Sequence, residues 1–219
     1  MQGVDGPTNL TRRAAVILGC AGLAAAPPEP RRLAFEAWRN GRRIGRHQLS
    51  FTGDDQDFVV AIEAELAVGI GPITVFRYRH QASETWRGGR FSELRSRTVT
   101  NGRREQVVAS STAGGVAVTT AAGAHTLAAN AAPLTHWNPH VLAGPLFNPQ
   151  TGAALRERVL RQDGQTLTLA DGRAIGASRY VLTGDADIID WYDLRGQWSA
   201  LRARAADGST VDYRRVAAA

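Results

Sequence analysis

The chain has 219 residues, 26 basic side chains that are all arginine, and a net charge of +6. This length is enough for one domain with a buried core, and Cys20 is the one cysteine, so no intramolecular disulfide forms. The arginines are spread along the chain beside acidic residues rather than grouped in a block, which argues against a nucleic-acid partner.

The N-terminal stretch has the pattern of an export signal. Arg12 and Arg13 precede an apolar, small-residue run at 14–26, which is too short to span a bilayer. The sequence ILGC, which ends at Cys20, matches a lipobox only in part, because few apolar residues precede it after the arginines. We therefore expect a soluble periplasmic protein, cleaved near Ala24, rather than a lipoprotein.

Three segments follow from this pattern. We predict a signal peptide at 1–26, a proline-rich linker at 27–32 and a single β-rich domain at 33–216. The mature chain is expected to contain no transmembrane span.

Alternation of apolar and polar residues runs through the domain from Leu33 onward, which is typical of half-buried strands. Asn40-Gly41 and Asn101-Gly102 predict tight hairpins, because both residue types tolerate positive φ. Prolines at 133, 139, 145 and 149 interrupt the pattern between 129 and 152. The fold class predicted is all-β, an antiparallel meander that forms a curved or closed barrel. One short helix or loop segment near 133–150 is expected to lie across an opening of this barrel.

The strand predicted at 73–86 has ionisable residues on both faces. His80, Glu84 and other residues of even number share one face, whereas Arg77 and Arg79 share the other. His80 and Glu84 are about 13 Å apart along a strand, so each would need a partner from elsewhere. Either orientation places ionisable groups inside, which predicts a polar or wet lumen.

The sequence THWNPH at 135–140 contains two histidines. Pro139 suits the first position of a helix and Asn138 is a good N-cap, so His140 lies inside a short helix and His136 lies outside it. The two histidines need not share a face, and no metal site is predicted. Capping does not explain His136 or Trp137. We expect Trp137 to plug a barrel opening, and His136 to be either a buried hydrogen-bonding residue or a site residue.

A second acidic stretch, DADIIDWYD at 185–193, lacks the spacing of a calcium loop. Asp190 and Tyr192 share a face of the predicted strand, and Trp191 lies on the other. Two roles remain open for Asp190, namely pairing with an arginine inside the barrel, which is favoured, or acting as a general base.

Several stretches resemble an uncharacterised family of exported bacterial proteins that is described as a domain of unknown function. The resemblance covers about 33–213. It implies an exported location and a β-rich fold, and it implies no activity. The stretches that carry it are GPITVFRYRHQASETWRGGRF at 71–91, THWNP at 135–139, NPQTG at 148–152 and YVLTGDADIIDWYDLRGQW at 180–198.

The leading functional hypothesis is non-covalent binding of a small amphipathic or lipid-like molecule in the cell envelope, with no cofactor. The alternatives are a cofactor-free acid–base enzyme, such as a hydrolase, isomerase or cyclase, or an envelope scaffold that binds a protein through a sheet edge. The weak catalytic candidates are His136, Asp190 and His80. The candidate ligand-binding residues are Arg77, Tyr78, His80, Trp86, His136, Trp137, Asp190 and Trp191. The sequence leaves the oligomeric state open.

Overall fold

A computed structural model describes residues 31–70, 73–205 and 207–216. The predicted signal peptide, with Arg12, Arg13 and Cys20, lies outside the described residues. The strands of the N-terminal half are β1 (Arg32–Arg39), β2 (Arg42–Gly53), β3 (Phe58–Ile70), β4 (Ile73–Arg87), β5 (Arg90–Thr100), β6 (Arg103–Thr112), β7 (Gly115–Thr120) and β8 (Gly123–Leu127).

The remaining elements follow in chain order. Three two-residue strands and a 3-10 helix lie in the proline-containing segment: β9 (Ala132–Pro133), η1 (Pro139–Ala143), β10 (Leu146–Phe147) and β11 (Ala154–Leu155). Five longer strands then complete the chain: β12 (Glu157–Thr168), β13 (Ala174–Gly184), β14 (Asp187–Asp193), β15 (Trp198–Arg204) and β16 (Thr210–Val216).

One antiparallel sheet of 13 strands forms the body of the molecule. Its order is β12 to β16 followed by β1 to β8, so each half is a meander and β16 pairs with β1. Within the described ranges, the edge strands β8 and β12 do not pair with each other. The prediction of an all-β, curved antiparallel meander is therefore confirmed, with a barrel-like sheet that hydrogen bonds do not close. In these same ranges, no helix is long and apolar enough to cross a membrane.

Both predicted asparagine–glycine hairpins are present. Asn40 and Gly41 join β1 to β2 with φ of 47° and 79°, and Asn101 and Gly102 join β5 to β6 with φ of 50° and 87°. Two consecutive residues with positive φ make the turn whose twist matches that of the flanking strands. These turns fix the register that decides which side chains of β1, β2, β5 and β6 face inward.

The segment from 128 to 156 connects the two edge strands and enters the interior of the curved sheet. Its helix begins as predicted, because the Asn138 side chain accepts a hydrogen bond from the His140 amide and Pro139 is the first helical residue. Phe147 has no exposed surface and Trp137 is 3% exposed. The segment therefore fills part of the interior instead of lying only across an opening, because its apolar side chains require burial. The buried apolar residues of the segment are Ala131, Ala132, Leu134, Trp137, Val141, Leu142, Leu146 and Phe147.

Trp137 belongs to an aromatic cluster at the centre of this packing. Its ring meets Phe51, Phe58 and Trp86 edge to face, with ring centroids 5.4, 5.7 and 5.1 Å away. Phe58 and Trp86, which face each other on paired strands β3 and β4, are stacked. Trp137 is thus a core residue rather than the predicted plug at an opening, since three inward-facing rings surround it.

If the segment is part of the core, Phe147→Ala should destabilise the fold by about 3–5 kcal/mol, because it removes a fully buried ring and leaves a cavity. Urea unfolding followed by tryptophan fluorescence measures the change. Leu194→Ala is the control, because Leu194 is 82% exposed and its loss should change the free energy of unfolding by less than about 0.5 kcal/mol. Equal effects of the two substitutions would contradict the placement of the segment.

Candidate functional site

The two faces of β4 are unambiguous in the structure. His80, Glu84 and Trp86 are buried, whereas Arg77 and Arg79 are exposed. The Glu84 carboxyl group and the His80 imidazole therefore face inward. The two arginines stay in water, where their charges remain hydrated. The predicted polar lumen is present, because several other polar side chains are also buried: His47, Ser96, Thr98, Thr135, Asn138, Asp190, Gln197 and Ser199.

His136 and Asp190 form a hydrogen-bonded pair inside the sheet. The distance from His136 Nδ1 to Asp190 Oδ2 is 2.9 Å, and Asp190 has no exposed surface. The indole Nε1 of Trp198 donates to the other carboxylate oxygen, Oδ1, at 2.9 Å. The imidazole also stacks on Trp198, with ring centroids 5.1 Å apart and an angle of 21° between the rings. Two contacts thus orient the His136 ring, and the hydrogen bond between Trp198 and Asp190 holds both of its partners in place.

The favoured prediction for Asp190, an arginine partner inside the barrel, is wrong. Its partners are the imidazole of His136 and the indole of Trp198. The nearby arginines face outward, where Arg179 lies over the ring of Trp191 at 5.8 Å. An indole and an imidazole satisfy the carboxylate with less desolvation cost than a buried guanidinium.

Glu84 occupies a second buried position next to this pair. Its Oε2 accepts hydrogen bonds from the indole nitrogens of Trp86 and Trp137, both at 3.1 Å. The Thr135 side chain is also hydrogen-bonded to it. Burial raises the pKa of Glu84, and these hydrogen bonds and the nearby His136 oppose the rise. Its partners come from its own strand and from the interior segment, not from a neighbouring strand.

His47 and His80 extend the polar region along the inner face. His80 Nδ1 is 2.9 Å from the Thr98 hydroxyl on the neighbouring strand β5. His47 is 8% exposed, and neither of its ring nitrogens has a hydrogen-bond partner among the residues that the structure describes. Burial, with smaller effects from His136 and His80, lowers the pKa of His47 to about 3, and burial lowers the pKa of His80 to about 4. Both rings are therefore neutral at neutral pH.

These groups line a cavity of 290 Å³. Apolar walls come from several strands and from the interior segment: Leu49, Ile62, Ala64, Leu134, Ile188, Leu201, Ala203 and Val211. Polar groups contribute from the same surface: His47, Tyr78, His80, Glu84, Thr135, His136, Gln150, Arg204 and Tyr213. Burial raises the pKa of Tyr213 to about 12 and that of Tyr78 further above its ordinary value. Both phenols thus remain protonated hydrogen-bond donors at neutral pH.

Most predicted site residues converge on this cavity. Tyr78, His80 and His136 line it, and Asp190, Trp86 and Trp137 support the lining residues by hydrogen bonds. Two predicted residues lie elsewhere. The structure places the exposed Arg77 in a separate groove of 900 Å³, beside Arg43, Arg46 and Arg79, and it places Trp191 on the face of β14 opposite to Asp190.

Sequence reasoning missed His47, Trp198 and Tyr213. The sequence could have predicted that His47 faces inward, because it lies on the same face of β2 as Leu49 and Phe51, and all three are buried. It could not have predicted Trp198, because a register shift at Trp191/Tyr192 interrupts the alternation and lets consecutive residues of β15 become buried. In the described ranges, no group of three or more His, Cys, Asp or Glu side chains is placed to hold a metal ion.

Comparison with known proteins relates the chain to families without an assigned role. The model of the family described as "Domain of unknown function (DUF6134)" matches residues 35–216. A solved structure with a similar fold is a β-barrel-like protein of the domain of unknown function DUF1849 from Brucella abortus. It is 10% identical, with a TM-score of 0.62 over 84% of this chain and 94% of that chain. At this identity the likeness concerns the fold alone. Among curated proteins, none matches the chain.

Acidification should destabilise the fold through His47 and His80. Because both pKa values are lowered from 6.5, the unfolded chain takes up protons that the folded chain does not, and the free energy of unfolding falls as the pH drops from 6.5 towards 4. Each histidine contributes up to about 1.4 kcal/mol per pH unit in this window. Glu84 has the opposite effect, because its raised pKa makes the folded chain bind a proton first.

The variant His47→Phe places a phenyl ring among Phe35, Trp198 and Tyr213 and removes one of the two titrating histidines. We expect about half of the histidine contribution to disappear. Urea unfolding at pH 7, 6 and 5 measures the slope for both proteins. An unchanged slope in the variant would show that His47 is protonated at the same pH in the folded and unfolded states.

Proposed function

This chain belongs to the family of the domain of unknown function DUF6134, and we propose from its cavity that it binds one small amphipathic molecule non-covalently. The observation that carries the proposal is His47, which lines the cavity while neither of its ring nitrogens has a partner in the described part of the chain. Nearly all buried polar groups in proteins have a hydrogen-bond partner, and each missing one costs about 1–3 kcal/mol. A bound molecule with a polar group next to His47 supplies the hydrogen bond that the chain does not.

The composition of the walls supports an amphipathic ligand. Leu49, Ile62 and Leu201 are among the apolar residues that give affinity, and the histidines fix the orientation of the polar part. The cavity volume of 290 Å³ lies near the lower end of the range for ligand pockets, about 300–1,000 Å³. The ligand is therefore small, or it is a longer molecule of which one end enters the cavity.

A second candidate function, acid–base catalysis, is favoured by the pair His136–Asp190. A buried carboxylate that holds Nδ1 leaves Nε2 as a base, which is the arrangement of many catalytic histidines. His136 also lines the cavity, so a bound molecule can reach that nitrogen. Such an enzyme would use the base on water or on the ligand itself, because no serine and no cysteine lines the described cavity.

We propose in addition that the protein acts in the periplasm. Arg12, Arg13 and the apolar run at 14–26 support export, and the resemblance to exported proteins agrees with it. The proposal predicts that the chain recovered from a periplasmic fraction lacks the residues before about Ala24. Mass spectrometry of the intact protein measures this, and recovery of the uncleaved chain from the cytoplasm would reject it.

N-phenyl-1-naphthylamine, an uncharged dye whose emission rises in apolar surroundings, tests for ligand binding. The wild type should bind one dye molecule per chain with saturation. Ala64→Phe should weaken this binding at least about tenfold, because Ala64 is 3% exposed on the cavity wall and a phenyl ring fills the space. Fluorescence titration measures both affinities.

Ala61→Phe is the matched control, since Ala61 lies on the same strand and is exposed on its outer face. It should leave dye binding unchanged. Ala203→Phe is a second cavity-filling variant from a different strand, for use if Ala64→Phe does not fold. Absence of saturable binding to the wild type, or equal loss in the control, would reject the cavity as a ligand site.

Hydrolysis of 1-naphthyl acetate tests the catalytic candidate. If His136 is a general base, His136→Asn should lower the rate by at least about a hundredfold while dye binding persists, because Asn keeps a donor for Asp190 and lacks the Nε2 base. Equal rates for the wild type and the variant would show that His136 does not act as a general base in this hydrolysis.

A further inference from the structure

The polar groups of the cavity differ in kind from those of an anion site. They include neutral imidazoles, phenols and a threonine hydroxyl, and Arg204 is the one described arginine among the lining residues, at an exposed position. We propose that the cavity selects a neutral head group that donates a hydrogen bond, such as a hydroxyl, and rejects carboxylate, sulfonate and phosphate groups. This inference rests on the proposed function of ligand binding.

His136 offers a hydrogen-bond acceptor to the cavity. The Asp190 carboxylate already accepts from the Trp198 indole and lies 2.9 Å from His136 Nδ1, so a ring that carries one proton holds it on Nδ1. Nε2 then carries a lone pair, and among the described residues it has no hydrogen-bond donor. A hydroxyl of the ligand satisfies this acceptor, whereas a carboxylate presents a second acceptor to it.

His47 and His80 add two uncharged imidazoles to the lining. Both rings are neutral, so each offers one donor and one acceptor and no positive charge. His80 Nδ1 is occupied by Thr98, whereas both buried nitrogens of His47 lack a hydrogen-bond partner among the described residues. A hydroxyl group, which both donates and accepts, matches this inventory.

Two buried acidic residues lie in and behind the lining. Asp190 lies directly behind His136, and the buried Glu84 lies on the cavity wall. An anion placed next to these acidic groups would lose its hydration and meet no buried cation in the described lining. The phenols of Tyr78 and Tyr213 offer hydrogen bonds without charge. Arg204 is exposed, so an anion paired with it stays at the rim in water.

Three naphthalenes of similar size separate these effects: 2-naphthol, 2-methylnaphthalene and 2-naphthoate. Each displaces N-phenyl-1-naphthylamine from the wild type at pH 7.5, and the displacement curves give three dissociation constants. We expect 2-naphthol to bind about tenfold tighter than 2-methylnaphthalene, from its hydrogen bond, and 2-naphthoate to bind at least about tenfold more weakly than 2-naphthol. The signal from the cavity is the part of the wild-type dye signal that is absent in Ala64→Phe. Only displacement of this part is counted, since the surface arginines also attract anions.

Two variants shift the preference in different ways. His136→Asn should bring 2-naphthol to about the affinity of 2-methylnaphthalene, because the acceptor at the Nε2 position is lost while Asp190 keeps a donor. Asp190→Asn removes the buried charge and should tighten 2-naphthoate relative to 2-naphthol by about fivefold. Circular dichroism of each variant establishes that it is folded, and the wild-type comparison stands without either variant.

The outcomes distinguish a failure of ligand binding from a failure of head-group selection. If the dye itself does not bind the wild type, the proposed function fails. If the dye binds and 2-naphthoate competes as well as or better than 2-naphthol, ligand binding stands and the selection of a neutral head group is overturned. Equal binding of 2-naphthol and 2-methylnaphthalene overturns the role of His136 as the acceptor.

Discussion

In the described ranges the edges of the curved 13-stranded sheet do not pair, and the sheet must still fill the volume that it encloses. The connection between those edges does this. The segment from 128 to 156 places Leu142, Leu146 and Phe147 inside the sheet. Hydrogen bonds anchor it to the inner face, from the Ser96 hydroxyl to the Pro149 carbonyl and from His125 Nε2 to the Gly152 carbonyl. The segment also contributes Leu134, Thr135, His136 and Gln150 to the lining of the remaining cavity.

The buried acids couple this packing to the site. Glu84 on β4 accepts from Trp137 of the segment, and Asp190 on β14 holds His136 of the segment. Two carboxyl groups of the sheet are therefore hydrogen-bonded to two consecutive residues of the interior segment. A buried carboxyl without its partner would be costly, so these two contacts fix the segment in one position as well as orienting His136 towards the cavity.

The alternation of residues and the turn-forming residue pairs are enough to predict much of the fold. The period of two predicts the strands, the Asn-Gly pairs predict the hairpins, and the mixed faces of β4 predict a polar interior. The helix start at Asn138-Pro139 follows from local capping. Each of these features depends on neighbouring residues, so one sequence is sufficient to predict it.

The same local patterns could not predict the contacts that form the site. His136 and Asp190 are 54 positions apart, and which one meets the other depends on how the interior segment lies against the sheet. The segment has no periodic pattern, because prolines interrupt it, so alternation does not indicate its inward residues. The bulge opposite Trp191 and Tyr192 also hides Trp198 from a strict period of two. The prediction of an arginine partner for Asp190 failed for these reasons.

The central claim is that the cavity lined by His47 and His136 holds a ligand. Native mass spectrometry of the protein, isolated without detergent from the cells that naturally make it, tests this most directly. We expect a species heavier than the chain by the mass of one small molecule, which is released on denaturation and is neutral in solution at pH 7.5. Repeated recovery of the bare chain, with no released molecule, would contradict it.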